Sequence, residues 1–397
     1  MKVAMLGSGF IARFYADCLH SQRRPDRIVS VYSRNLEHAK RFAADYSFDH
    51  FTDQLVEAVN HKDVEVVIIS LPNHLHEVAV QACVKAKKHV LCTKPLGRTA
   101  EEAKRMVDMV EGAGIFGGYL EDLCYTPKFL KSLANIKAGS IGKVLWAKSR
   151  EAHSGPHSEW FWNKEMSGGG AMIDLACHCV QISRSFIGKA VRPVEVMCWS
   201  ATQVHPIEAE DHAIGLVKYA NGAIGQFEVS WAFRGGMDLR DEVMGTEGSI
   251  WINGFMRTGF EMYSSGKGGY VAEKAETNKG WVFPVGDEVH DLGYNNMFTD
   301  MFDAIEQNRE PLETFYDGYV VNAILDAAFR SAETRQWAPV QIEDWRYEEH
   351  TTEIENYASY NEEYYLVKEE VLPNGQGRII LKHKTTGKVV QRDLGSK

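Results

Sequence analysis

Val3-Ala4-Met5-Leu6-Gly7-Ser8-Gly9-Phe10-Ile11-Ala12 decides the fold. An apolar run leads straight into G-x-G-x-x-A, and a helical stretch from Phe10 to about Gln22 follows. Gly7 permits the tight turn, Gly9 lets a pyrophosphate approach the backbone, and Ala12 is small enough for the helix to lie close to the strand. The phosphates then meet the helix N-terminus at Phe10 and Ile11, where free N–H groups and the helix dipole favour an anion. The stretch predicts a dinucleotide-binding unit at the start of the chain.

The next strand, Arg27 to Tyr32, runs into Ser33-Arg34-Asn35. A NAD-type site carries an acid near this point for the ribose 2′-hydroxyl. Ser33 and Arg34 instead suit a 2′-phosphate, which tilts the reading toward NADP(H) over NAD(H). The competing reading stacks Arg34 on adenine and uses NAD. Val64 to Leu71 is nearly continuously apolar, as buried parallel strands are. It ends in Leu71-Pro72-Asn73-His74-Leu75-His76. Leu71, Pro72, Asn73 and His76 thus stand where an open α/β sheet binds ligands. Asn73 is expected to cap the following helix, and His76 to lie on its face rather than act in catalysis. His89 to Cys92 is another strand, and Pro95 keeps Lys94 out of the helical region at its end. Lys94 is then a cation beside the nicotinamide, able to hold a substrate hydroxyl or lower a histidine's pKa. Ile115 to Tyr119 forms a further strand, with Asp122 just after it.

Beyond Pro127 the pattern changes to alternating runs with turn signals: Val194–Ala201, His212–Tyr219, Ala223–Ala232 and Ser249–Ile252. Asn221-Gly222 is a hairpin signal between two of them. These runs predict a large, mostly antiparallel sheet, followed by helices over Met297–Gln307 and Tyr316–Thr334. Within this half, Gly168-Gly169-Gly170 precedes Asp174 and His178, which lie at i and i+4 on one helical face. The glycines are expected to thin the backbone so that a ligand can approach the helix N-terminus. His178 is the candidate general base. Asp174 is expected to bond a substrate hydroxyl or orient the histidine, and Lys94 to polarise the forming carbonyl. The structural alternative is a helix-face hydrogen-bonded pair. His153, Trp160 and Trp162 are candidate substrate contacts; the tryptophans suit the apolar face of a sugar ring or a packed core equally. A metal site from His153, His157, Asp174 and His178 is disfavoured, because no thiolate or H-E-x-x-H pattern supports it.

The 397 residues exceed one hydrophobic core. Three parts are expected: residues 1–123 for the dinucleotide, 124–345 for substrate and oligomerisation, and an extension over 346–397 containing a hairpin at Pro373-Asn374-Gly375. A net charge of −10 argues against nucleic acid as partner. No apolar run has the length of a membrane span. With seven cysteines lacking C-x-x-C pairs and no signal segment ahead of Lys2, reduced thiols in a cytoplasmic protein are expected.

At these motifs the chain resembles the glucose–fructose oxidoreductase, inositol dehydrogenase and rhizopine-catabolism (Gfo/Idh/MocA) family. The matching pieces are Gly7 to Ala12, Leu71 to His76, Thr93-Lys94-Pro95, Ile141 to Val144, and Gly168 to Gly170 with Asp174 and His178. Phe302 to Ile305, Pro311 and Asp317-Gly318 add a late match. The resemblance implies an α/β architecture: a Rossmann domain, then an α+β domain whose open sheet makes homodimers or homotetramers. It also implies NAD(P)-dependent chemistry on sugars, glycosides or cyclitols, with Lys94, Asp174 and His178 as the catalytic and substrate-binding set. The segment from His157 through Trp162 to the glycines, with Glu121-Asp122, is similar to members acting on pyranosides, which makes a ring hydroxyl, with C3 leading, the expected target. A redox-cycling glycosidase acting by oxidation and elimination is one alternative, and a non-catalytic sugar sensor another. Thr93 departs from the family's usual Glu before Lys-Pro, and the tail exceeds the usual length.

Overall fold

The computed structural model describes residues 1–23, 25–254, 262–265, 277, 279–283, 285–348, 357 and 359–394. Residues 349–356, 358 and 395–397 of the expected extension lie outside this set. The chain divides into two compact units. The first comprises Met1–Tyr219 and Ala223–Glu348; the second comprises the turn Ala220–Gly222 and the described part of 349–397.

Six strands open the first unit: β1 (Lys2–Leu6), β2 (Arg27–Tyr32), β3 (His50–Thr52), β4 (Val66–Ile69), β5 (His89–Thr93) and β6 (Gly117–Leu120). They form one sheet in the order β3-β2-β1-β4-β5-β6, and every pair is parallel. β4 is buried at all its positions, as a strand covered by helices on both faces must be. The strand order reverses at β1, which puts the ends of β1 and β4 at a topological switch point. β3, a three-residue edge strand, is too short to carry a periodic signal. The first helix runs Phe10–Asp17 and continues as a wider turn over Cys18–Gln22.

The second sheet contains β7 (Val144–Ala152), β8 (Pro193–Ala201), β9 (His212–Tyr219), β10 (Ile224–Ser230), β11 (Asp238–Gly245) and β12 (Ser249–Asn253). β13 (Met262–Ser265) and β14 (Lys279–Val282) pair separately, and β15 (Ala338–Pro339) closes an edge of the second sheet. The order is β12-β11-β7-β10-β9-β8-β15. Only the β10–β7 pair is parallel, so the sheet is mostly antiparallel as expected. β9 and β10 join through Asn221-Gly222, with Gly222 at φ +88°. On β7 the outward positions hold Trp146, Lys148 and Arg150, and the inward ones Ala147, Ser149 and Glu151. The inner face packs on the helix Ala171–Ile187, whose seventeen residues are all buried. Thr314 opens the helix Phe315–Thr334 with a reciprocal capping box to Asp317.

The second unit holds three strands, β16 (Tyr364–Val371), β17 (Gly377–His383) and β18 (Val389–Leu394), paired antiparallel in sequence order. The expected hairpin is present, and β18 adds a strand that the sequence reading missed.

Candidate active site

A cleft of about 950 Å³ runs from the ends of β1 and β4 to the helix Ala171–Ile187. Gly7, Gly9, Phe10, Ile11, Ser33, Arg34, Leu71, Pro72 and Asn73 line one part. Lys94, Asp122, His153, Trp160, Asp174 and His178 line the other. The cofactor and substrate candidates therefore share one continuous space.

The first part is shaped for a dinucleotide. Gly7 has φ +117°, and an added Cβ would sit 2.5 Å from the Ser70 carbonyl oxygen, so only glycine makes this turn. At Gly9 an added Cβ would meet no protein atom within 4 Å. Protein packing thus does not require that glycine, and the space beside it is open. Gly9 gives the helix behind it no side-chain cap. Ser8 Oγ donates to Ser33 Oγ at 3.0 Å, and Arg34 is exposed at the cleft edge.

The second part brings charged side chains together from separate elements. Lys94, just past β5, donates from Nζ to the Asp174 carbonyl oxygen at 2.8 Å and to Asp174 Oδ1 at 2.9 Å. Trp231 Nε1 donates to Asp174 Oδ2 at 3.1 Å. His178 Nδ1 bonds Glu121 Oε1 behind it. Burial opposes the Lys94 charge, but Asp174, Cys177 and Glu151 outweigh it and hold the amine as an ammonium. Burial, reinforced by Lys94, lowers the His178 pKa from its ordinary 6.5. Burial pushes Glu121 up to about 8 and Glu151 up to about 7. Asp122 rises to about 6 for the same reason. A neutral imidazole beside a fixed cation is a base next to an electrophile.

Two family models match this chain: an oxidoreductase family with an NAD-binding Rossmann fold over residues 1–116, and a GFO/IDH/MocA C-terminal domain over residues 129–251. The chain belongs to the Gfo/Idh/MocA oxidoreductase family. It is 26% identical over 390 residues to levoglucosan dehydrogenase of Pseudarthrobacter phenanthrenivorans, covering 86% of this chain and 98% of the relative. It is 30% identical over 226 residues to 1,5-anhydro-D-fructose reductase of Ensifer adhaerens, covering 56% of this chain and 67% of the relative. The crystal structure of GenD2 from gentamicin A biosynthesis in complex with NAD matches with a TM-score of 0.80 at 29% identity, over 86% of this chain and 97% of that one.

Several expectations for this Gfo/Idh/MocA member are corrected. The glycine triplet does not open the helix to a ligand. A Cβ on Gly170 would lie 1.9 Å from the Glu210 carbonyl oxygen, and one on Gly169 would lie 2.7 Å from Phe329. Glu210 Oε1 accepts from the N–H groups of Gly170 and Met172, each at 2.9 Å. The triplet is a packing seat, and the helix N-terminus is capped by the protein itself. Asn73 caps no helix; its Nδ2 donates to the Ser167 carbonyl at 2.7 Å, tying the two halves of the cleft. His76 is fully buried, and its ring nitrogens bond the carbonyl oxygens of Pro95, Leu96 and Leu71. It holds strand ends rather than cofactor. Ala12 is buried beneath the cleft, as its packing role requires. Trp160 stacks on Phe161 at the cleft wall, whereas Trp162 packs edge-on against Trp231 and over Gly155. His153 is buried and accepts from the Gly155 N–H at 2.9 Å. Thr93, the departure before Lys94, lies 3.0 Å from the Tyr15 hydroxyl in the cofactor domain's core.

Glu151 was missed by the sequence reading, and Glu121, named there only beside Asp122, was given no role. Glu121 follows β6 with no spacing that links it to His178, 57 residues on. Glu151 had a signal: Lys148 and Arg150 alternate outward along β7, which turns the acid inward. Among the described residues, Glu121, Cys177 and His178 also lie close enough to hold a metal ion, but the bond between Glu121 and His178 already uses their facing atoms.

Proposed function

We propose that the protein exchanges hydride between nicotinamide and a ring hydroxyl of a sugar, glycoside or cyclitol. Residues 1–123 hold the cofactor and residues 124–345 the substrate. The meeting of Lys94 with Asp174 and His178, in the same cleft as Gly7 and Gly9, carries this reading. When bound, the nicotinamide supplies the hydride acceptor for the alcohol carbon. His178, kept neutral by burial and by Lys94, takes the hydroxyl proton as the carbonyl forms. Lys94 stabilises the negative charge that develops on the oxygen, and Asp174 fixes the direction of its ammonium. Glu121 holds the ring through Nδ1; when its carboxyl is ionised it accepts from Nδ1–H and leaves Nε2 as the basic nitrogen. In the reverse direction the imidazolium returns the proton.

The relatives named for levoglucosan and 1,5-anhydro-D-fructose support a sugar-like substrate, and the C3 hydroxyl is the first position to test. Arg34 at the cleft edge, flanked in sequence by Ser33 and Asn35, supports use of NADP(H) as well as NAD(H). The outer face of the second sheet exposes Trp199, Ile214, Leu216 and Trp251, which supports assembly through that sheet. The seven free cysteines fit a reducing cytoplasm.

Incubation with a panel of sugars, glycosides and cyclitols and either cofactor should reduce the nicotinamide. His178→Ala should lower kcat by about 10²–10⁴-fold at unchanged cofactor affinity, and Glu121→Gln by less. Arg34→Ala should lower the NADP-to-NAD ratio of kcat/KM. Release of an aglycone without net reduced nicotinamide would replace this reading with redox-cycling glycoside cleavage. Sugar binding with no turnover by either route would leave a sensor.

A further inference from the structure

The charges around the catalytic end do not cancel. Lys94 is matched by Asp174, while His178 is held neutral and Glu121, bonded to its Nδ1, is pushed by burial toward its protonated form. Glu151 and Asp122 remain; both are buried, both line the cleft, and neither has a salt-bridge partner among the described residues. Glu151 is 4% exposed, and its Oε2 accepts no hydrogen bond among the described residues. A buried carboxylate left this way costs free energy that a ligand can return.

We propose that the substrate carries an ammonium group, as an amino sugar or aminocyclitol does, and that Glu151 is its counter-charge, with Asp122 beside it. This rests on the dehydrogenase reading and narrows its substrate class. A neutral hydroxyl satisfies the hydrogen bond of Glu151 but leaves the charge uncompensated. An ammonium satisfies both, through a charge-assisted bond. A carboxylated or phosphorylated sugar meets like charge there and is rejected. The net charge of −10 favours the approach of a cation over that of an anion.

The titration of the site agrees in sign. Lys94, His178, Asp174 and Glu121 all face Glu151 electrostatically, and burial leads in pushing its carboxyl up to about 7. The acid attracts a cation only when ionised, so preference for the amine fades as pH falls below about 7.

The test compares initial rates on matched pairs: a hexose, its amino-deoxy counterpart and the N-acetyl form of the latter. The expected result is kcat/KM at least tenfold higher for the amine than for the hexose, with the advantage lost on N-acetylation and at pH 5.5. Glu151→Gln should shrink the amine-to-hexose ratio by at least tenfold, and Asp122→Asn should shrink it less. If Glu151→Gln does not fold, the pH and N-acetyl comparisons on the unmodified protein decide. A hexose preferred over its amine overturns the proposal while leaving the dehydrogenase standing. Equal loss for both substrates in Glu151→Gln also overturns it. Absence of cofactor reduction with every neutral and amino substrate, despite calorimetric binding, removes the dehydrogenase reading itself.

Discussion

Gly7 to Ala12 and Gly168 to Gly170 are both glycine-rich approaches to a helix, and they serve opposite purposes. Beside Gly9 the space is open and the helix start carries no side-chain cap. Beside Gly170 the space is filled by the Glu210 backbone, and the Glu210 carboxyl takes the helix N–H groups. One junction leaves room for an anion from outside. The other has received its anion from the chain. A glycine pattern therefore reports only that something comes close; what comes close is decided by residues far along the sequence.

The comparison breaks most visibly at Gly170. Gly170→Ala places a methyl group against the Glu210 backbone. It should cost about 3 kcal/mol or more, read as a lower midpoint in chemical denaturation. A variant as stable as the parent would mean that Glu210 does not seat there. Gly9→Ala should do the reverse: stability within about 0.5 kcal/mol of the parent, with cofactor affinity about 10- to 100-fold weaker by titration calorimetry. Unchanged affinity would show that the phosphates lie elsewhere. The smallest effect belongs to Glu210→Gln. An amide oxygen still accepts from both N–H groups, so only the charge at the dipole's positive end is lost, about 0.3–1 kcal/mol. A larger loss would make the carboxylate charge, not its hydrogen bonds, the seat's main contribution.

These two junctions also mark where sequence reading works and where it stops. The β1 turn was legible because its strand, glycines and helix are contiguous, and local order suffices to define it. Lys94, Asp174 and His178 were legible because two motifs flag them, and the cleft does unite them. The partners of Asp174 and His178 were not. Each draws its partners from other elements: Lys94 and Trp231 for the acid, Glu121 for the base. The spacing of i and i+4 shows a shared face but not which group each side chain meets. The triplet was misread for the same reason, since Glu210 lies 40 residues beyond Gly170. β3 was overlooked through brevity. β11 was overlooked because Asp238, Arg240, Asp241 and Glu242 mask its alternation, although Asp241 bonds Ser149 from the inner face.

The helix Ala171–Ile187 has no solvent-facing side. Substitutions along it disturb packing in every direction, so Asp174 and His178 are anchored against drift. Trp160 and His157, at the cleft wall, carry no such burden. Divergence toward a new substrate has its cheapest route through that wall, with the buried positions of Asp174 and His178 inherited intact.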